Sequence, residues 1–383
     1  MRKFLGVLGL VCFAALVYWL TMFSSDKKNV KPVVEQPKTF KAVLFVAHKA
    51  DHVRQVNIGK ELAKRIEDRS QGRLKIELKF PDDKKDGNYY REALTMVMSN
   101  AAQLTTTSTP HLAALDPQFQ VFEMPFLFRS NEHAFHVMDG EIGTKLKDHL
   151  LQATQNNLRI LSYSYGGGFR QFISNKQITK VSQLAGLRMH YYGPTADPKD
   201  DIKTNPALAR LLEILAYKMT PVMNESHPEY TSGLDFFKNN LVDITDDHYG
   251  NVSRLYKNFG PIEGKMKYIW EVDHSLFVTA YVVNERFFQT LPKDLQTIVQ
   301  EEAQRMAIED REGVVKVNQN SKEELIKSGT VVTPISAKEK KIMIKASHAV
   351  YDKLEPLLGS DLIKAIEDLD KTSSATPAAA AEH

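Results

Sequence analysis

Cysteine is almost absent: the single one, Cys12, lies in an apolar stretch behind Gly9, Leu10 and Val11, without the small residue that a lipid-attachment cysteine follows. The body of the chain therefore has neither an intrachain disulfide nor a thiol nucleophile. Charge of one sign is lacking too. Fifty Lys and Arg face 47 Asp and Glu for a net of +3, spread without arms or blocks, which disfavours nucleic-acid or polyanion binding. No C-x-x-C, H-E-x-x-H, G-x-S-x-G or EF-hand pattern occurs in the body, and no heptad or tandem repeat is sustained. Even the triple glycine of YGGGFRQFISNK, Tyr165–Lys176, fails as a phosphate cradle. Phe169, Arg170 and Gln171 follow it instead of the spaced Gly-Lys of a phosphate loop, and Gln171 stands where a dinucleotide fingerprint needs its third glycine.

What is present is a globular composition, 43% hydrophobic and 25% charged over 383 residues, long enough for two lobes with their own cores. The first 23 residues, MRKFLGVLGLVCFAALVYWLTMF, place Arg2 and Lys3 before an apolar run of nearly membrane-spanning length. That run exceeds the core of a cleavable signal and ends in no A-x-A site, so an uncleaved inner-membrane anchor is expected, with a removed export signal as the alternative and the body exported in either case. Residues 24–38, with two prolines, read as a linker, and 369–383 as a disordered tail.

Between these ends strands and helices alternate. Lys41–Ala47 reads as a strand, Ile58, Leu62 and Ile66 as a helical stripe closed by Gly72, and RLKIELKF as a strand with one covered face. A helix near Tyr90–Ser99 and a strand through Gln103–Thr107 repeat the theme. A long helical region over Asn131–Ala153 is expected to break at Gly140 or Gly143. Leu158–Tyr163 then reads as a strand, LAGLRMHYY as a turn at Gly186 into another, and Asn205-Pro206 as a helix start. Thr290 and Pro292 introduce a longer helix with Leu295, Ile298, Met306 and Ile308 as its apolar positions. The alternation, run twice, predicts two α/β lobes.

Candidate chemistry is that of recognition. Arg170, aimed by glycines at the entry to a strand, carries a fork of donors that matches a carboxylate; a surface ion pair is the alternative use. DITDDHYGN gathers Asp243, Asp246, Asp247 and His248, which suit a hydroxyl or amine, a bound cation, or a plain solvated turn. Tyr163, Tyr165, Phe169, Tyr191, Tyr192, Tyr249 and Trp270 can line an amphipathic pocket, and Asn175 can orient oxygens. No nucleophile with a base, and no metal-ligand spacing, points to an enzyme, a metal or a cofactor.

SQGRLKIELKF, FEMPFLFRSNEHAFHVMDGEIG, GGGFRQFISNK, SQLAGLRMHYY, YTSGLDFFKNNLVD and VNERFFQTLPKDLQ, in that order over roughly residues 40–315, resemble the extracytoplasmic solute-binding proteins of tripartite ATP-independent periplasmic (TRAP) transporters, of the C4-dicarboxylate and sialic-acid receptor type. The resemblance implies a two-lobe periplasmic-binding-protein (Venus-flytrap) fold with crossing strands and a long C-terminal bracing helix. It divides the chain into lobe I, 39–166 and about 275–313, and lobe II with bracing elements, about 167–274 and 314–368. It further implies a small organic acid or related polar solute held between the lobes and delivered to a sodium-driven TRAP permease. A membrane-tethered sensing relative that does not itself support import is the alternative. Arg170 and Asn175 match the family's motif. Its second arginine is His190 here, with Arg188 on the same strand face two residues earlier. Asp247 takes the family's amide position, and His248 stands where proline is common. Arg170 and His190 are expected to face one cleft, joined by Arg188, Asn175, Tyr192, Asp246, Asp247 and His248.

Overall fold

Strands that carry alternating or continuous apolar residues assemble about a short crossover, five in one sheet and six in the other, and a computed structural model shows how. It describes residues 38–48, 53–82, 89–192, 199, 205–223, 233–259 and 266–373. The segments expected as anchor and linker through residue 37, most of the GPTADPKDDIKTNP stretch, and residues 374–383 lie outside the described residues. All the elements below belong to the compact unit Phe40–His383.

Strand β1 (Phe40–Phe45) pairs in parallel with β2 (Leu74–Lys79) and β3 (Leu104–Ser108). Between them run α1 (Val53–Arg69) and α2 (Tyr89–Met98). Leu62 and Ile66 bury the apolar stripe of α1, and the chain leaves that helix through Gln71 and Gly72 at φ of 53° and 73°, a left-handed exit that glycine makes inexpensive. After α3 (Thr109–Ala113), the segment Pro117–Glu123 forms a 3-10 helix capped by the Asp116 carboxylate. The Asn131–Ala153 region breaks at Gly140 into α4 (Asn131–Asp139) and α5 (Glu141–Ala153); a Cβ there would stand 2.5 Å from the His136 carbonyl oxygen.

Strand β4 (Leu158–Phe169) is twice the expected length because it runs through the glycines, and β5 (Gln171–Ser174) continues it into a second sheet. That sheet also holds β6 (Arg188–Tyr191), β7 (Thr220–Met223), β8 (Ile244–Asp247) and β9 (Tyr268–Glu271), with α6 (Leu208–Ala216), α7 (Gly233–Lys238) and α8 (Tyr249–Phe259) around it. Helix α6 begins two residues after Pro206. Asn205 serves instead by accepting hydrogen bonds from the Tyr191 hydroxyl, 2.8 Å, and the Ala207 N–H, 3.3 Å. Strand β10 (Leu276–Asn284) returns antiparallel to β4 and β3. The first sheet thus has the order β2-β1-β3-β10-β4, and the second, completed by β11 (Val331–Pro334), β11-β9-β5-β8-β6-β7.

After α9 (Glu285–Thr290), α10 (Lys293–Lys327) spans 35 residues, about 50 Å at 1.5 Å per residue. Leu295, Val299, Ala303 and Met306 pack with Leu62 and Ile66 in the first lobe, and Leu325 packs with Val252 and Leu255 in the second. One helix therefore braces both cores. Ile308, one of the apolar positions read from sequence, is exposed. Helices α11 (Ala337–Leu358) and α12 (Ser360–Ser373) close the chain, α12 passing the boundary at 368 drawn from sequence. Among the described residues no helix is long and apolar enough to cross a membrane.

Candidate functional site

The crossover from the first sheet to the second falls at Gly166–Arg170, and each glycine there has its own reason. A Cβ on Gly166 would stand 2.3 Å from the Phe277 ring, one on Gly167 would stand 1.9 Å from the His248 ring, and Gly168 has φ +77°. Opposite them β10 skips: Phe277 pairs with Gly168 but Val278 with Tyr165, so β4 carries two extra residues in a bulge. The bulge turns the strand and leaves Arg170 between the two sheets. Its backbone is fixed by hydrogen bonds with the second crossing strand, Arg170 N–H to Ser275 O at 3.0 Å and His274 N–H to Arg170 O at 3.4 Å.

The Arg170 guanidinium lies over the Phe277 ring, 4.7 Å from its centroid, and donates to Asp246 at 3.4 Å. Asp246 is not primarily its partner. Arg210, from α6, grips Asp246 with two nitrogens, and His274 Nε2 stands 3.5 Å away, in ionic contact. His274 Nδ1 is 2.7 Å from Glu213 Oε1 on α6. Burial opposes the charge on Asp246, but Arg210 and Arg170 hold its carboxyl well below the usual carboxylate range. Burial likewise opposes charge on His274, yet Glu213 and Asp246 raise its imidazole above the ordinary value. The result is a dry network of charges, Arg210, Asp246, His274 and Glu213, beneath a half-free Arg170.

Around Arg170 the two lobes contribute different groups. From the first come Tyr90, whose ring meets His48 at 5.3 Å and Phe277 at 6.3 Å, and Arg54, which donates to Asp310 at 2.6 Å. From the second come Asp247, His248 and Tyr192. Asp247 Oδ1 accepts the His248 N–H at 2.8 Å. His248 Nδ1 accepts the Asn251 N–H at 3.2 Å, which leaves the proton of a neutral ring on Nε2. Burial lowers the affinity of His248 for a second proton, and Arg170 and Arg54 lower it further against the pull of Asp247. The Tyr192 side chain is 59% exposed although Asp247, Asp246 and Arg170 all act on its hydroxyl.

His190 lies directly beneath Tyr192, whereas Arg188 and Asn175 are placed elsewhere. On β6 the register sets Met189 beside Ile244, so His190 falls beside Thr245 and on the face opposite Asp246. Its ring is buried against Phe236, at 4.5 Å, and edge-on beneath Tyr192, at 4.2 Å. Arg188, at the far end of β6, is forked onto Asp243 at 2.9 and 3.0 Å and donates to the Asn240 carbonyl oxygen. Asn175 lies at that same end, its N–H on the Asp243 carbonyl oxygen and its Oδ1 accepting from Met266 N–H at 3.1 Å. The three aspartates of DITDD therefore serve three separate partners. Among the described residues no group of three or more His, Cys, Asp or Glu is arranged to hold a metal ion.

Arg54, Tyr90, Glu123, Arg210, Glu213 and His274 were not singled out from sequence. The signal for two of them was an Arg and a Glu three apart inside the otherwise apolar LARLLEILA, where both are buried. For Glu123 it was a lone acid in an aromatic run.

Comparisons with known proteins place this architecture. The model of the family described as bacterial extracellular solute-binding protein, family 7, matches residues 46–192 and 262–356, more than half of the chain. The C4-dicarboxylate-binding protein DctB of Bacillus subtilis is 25% identical over 338 residues, covering 86% of this chain and 87% of that protein. A TRAP periplasmic solute-binding protein from Ochrobactrum anthropi, solved with its C-terminus bound in the ligand pocket, superposes with a TM-score of 0.72 at 19% identity, over 89% of this chain and 98% of that one. The sugar acid binding protein DctPAm of Advenella mimigardefordensis, in complex with galactonate, superposes with a TM-score of 0.70 at 18% identity, over 88% and 100%.

Proposed function

The chain belongs to family 7 of the bacterial extracellular solute-binding proteins, and from that premise we propose that its solute is a small monocarboxylate rich in hydroxyl groups, held by Arg170. The protein is a periplasmic receptor rather than an enzyme: it captures a small polar solute and delivers it to a TRAP permease. Capture of this kind requires only that the closed state bind more tightly than the open one.

The state of Arg170 carries the reading. Among the described residues its Nε is buried without a hydrogen-bond partner, and the one carboxylate it touches is already gripped by Arg210. One guanidinium is therefore available to an incoming carboxylate. A second is not. Arg54 is engaged by Asp310, Arg188 by Asp243, and β6 presents His190 in place of an arginine. Asp247 and the Tyr192 hydroxyl offer partners for hydroxyl groups, and Asp247 repels a second carboxylate. Galactonate, bound by the Advenella protein, has this chemistry; the C4-dicarboxylates named for DctB do not.

Isothermal titration of the full chain tests the proposal. D-galactonate is expected to bind at least tenfold more tightly than succinate. Arg170→Gln is expected to weaken it about 100-fold, roughly the 3 kcal/mol at the upper end for a hydrogen bond to a charged group. Preference for succinate, or indifference to Arg170→Gln, overturns it.

We further propose that residues 1–23 remain attached as an inner-membrane anchor, so that residues 24–38 tether the receptor. The basic start and long apolar run support this reading.

A further inference from the structure

We propose that Glu123 takes up a proton when the solute's carboxylate settles on Arg170, coupling capture to one proton. The inference rests on the Arg170 reading above and adds the regulation of that site.

Glu123 ends the 3-10 helix Pro117–Glu123 and is 2% exposed, and its Oε1 has no hydrogen-bond partner among the described residues. The charged groups that act on it come from every side of the crossover: Arg170 from the strand junction, Arg210 and Glu213 from α6, and Asp246 from β8. Three of these are committed. Arg210 and Asp246 hold each other, and Glu213 holds His274. Arg170 is the one whose charge is still available, its Nε unpaired. The backbone ties the end of the 3-10 helix to both arginines: Phe126 N–H donates to His274 O at 2.8 Å and His274 N–H to Arg170 O at 3.4 Å, while Gln120 Oε1 accepts from Ala209 N–H at 3.2 Å, beside Arg210.

A buried carboxylate with an unpartnered oxygen is costly, so Glu123 stays ionised only as far as Arg170 and Arg210 compensate it. Burial already pushes the Glu123 carboxyl up against both arginines. A solute carboxylate on Arg170 neutralises that compensation and adds a negative charge nearby. Both effects favour protonated Glu123. The balance is simple: solute anion, proton and receptor give the complex, the proton moving from solvent to a Glu123 oxygen with no other bond made or broken.

The sign follows from linkage. Where the free receptor carries ionised Glu123 and the complex carries it protonated, affinity falls up to tenfold for each unit the pH rises. Below that window Glu123 is protonated in both states, and above it ionised in both, so affinity is level on either side.

Titration calorimetry of the full chain with D-galactonate, in buffers of different ionisation enthalpy over about pH 5 to 9, counts the protons taken up. Uptake approaching one proton per solute is expected in the native protein, and none in Glu123→Gln. No uptake at any pH, or undiminished uptake in Glu123→Gln, overturns the proposal. A second arm needs no solute: with glutamate labelled at the side-chain carbonyl carbon, the Glu123 resonance should titrate at higher pH in Arg170→Gln than in the native protein, because its compensating cation is gone. An unchanged midpoint overturns the coupling. If D-galactonate produces no heat, the solute reading is what fails, and the resonance arm still decides the role of Glu123; it does so equally if Glu123→Gln does not fold.

Discussion

At Gly167 the absent side chain is what allows His248 to dock on the crossing strand. A Cβ would stand 1.9 Å from His248 Cδ2 and 2.3 Å from Nε2. The ring cannot easily step aside, since its Nδ1 accepts from Asn251 N–H, and Asn318 ties the same place together by donating to Gly167 O at 2.8 Å and accepting from Gly250 N–H at 2.8 Å. The conflict is steric, because Gly167 is not among the glycines with positive φ. Gly167→Ala is therefore expected to cost about 1–3 kcal/mol, the range for overpacking a filled site. Urea melts should show it, and adding His248→Ala should recover most of the loss, a non-additivity that only direct contact produces. A double variant as unstable as the sum of its parts would count against this packing.

At the scale of elements, α6, β8 and the second crossing strand are pinned to one another by the Arg210, Asp246, His274 and Glu213 network. Removing one member of a buried ion pair strands the other, at about 3–5 kcal/mol. Asp246→Asn is thus expected to destabilise the fold by about that amount near neutral pH. Its pH dependence has a definite sign. The Asp246 carboxyl is held below its ordinary value, so its contribution is fully present above the usual aspartate range and is lost as pH falls beneath it. The His274 imidazole is held above its ordinary value, so its contribution is complete below about pH 6.5 and is lost as pH rises through the folded-state value. Thermal melts against pH should therefore show the acid limb of Asp246→Asn flattened and its alkaline limb weakened but still present through Glu213; an unchanged acid limb would exclude Asp246 as its source. The elements themselves were legible in sequence, because the stripe of Leu62 and Ile66, the alternation of Leu74 and Ile76 and the break at Gly140 are local patterns. The place of Arg170 at the crossover was legible for a related reason, since glycines and a strand entry mark it within a few residues. The network was not. Arg170 and Asp246 are 76 residues apart and Glu213 and His274 are 61 apart, and no local period announces such pairings. Arg188 shows the converse: its strand face was readable, but Asp243, which occupies it, was read as part of a cluster with Asp246 and Asp247.

For the whole molecule, an N-terminal anchor changes the physics of delivery rather than that of capture. A freely diffusing receptor must find its permease by three-dimensional encounter. One tethered through a linker of the length of residues 24–38 would stay within at most about 50 Å, at roughly 3.3 Å per residue of a fully extended chain. Confinement to a thin layer beside the membrane would raise the receptor's concentration around the permease above that of a receptor spread through the periplasm, so a weaker receptor–permease contact would suffice. The receptor would then need little intrinsic affinity for the permease, and release after delivery would be fast. The expected outcome is that the chain recovered from cells sediments with the inner membrane, resists extraction at alkaline pH, and retains residues 1–23 by intact mass. Recovery in the soluble periplasmic fraction with a mass lacking those residues would show that the segment is an export signal. Delivery would then depend on the receptor's concentration in the periplasm rather than on a tether.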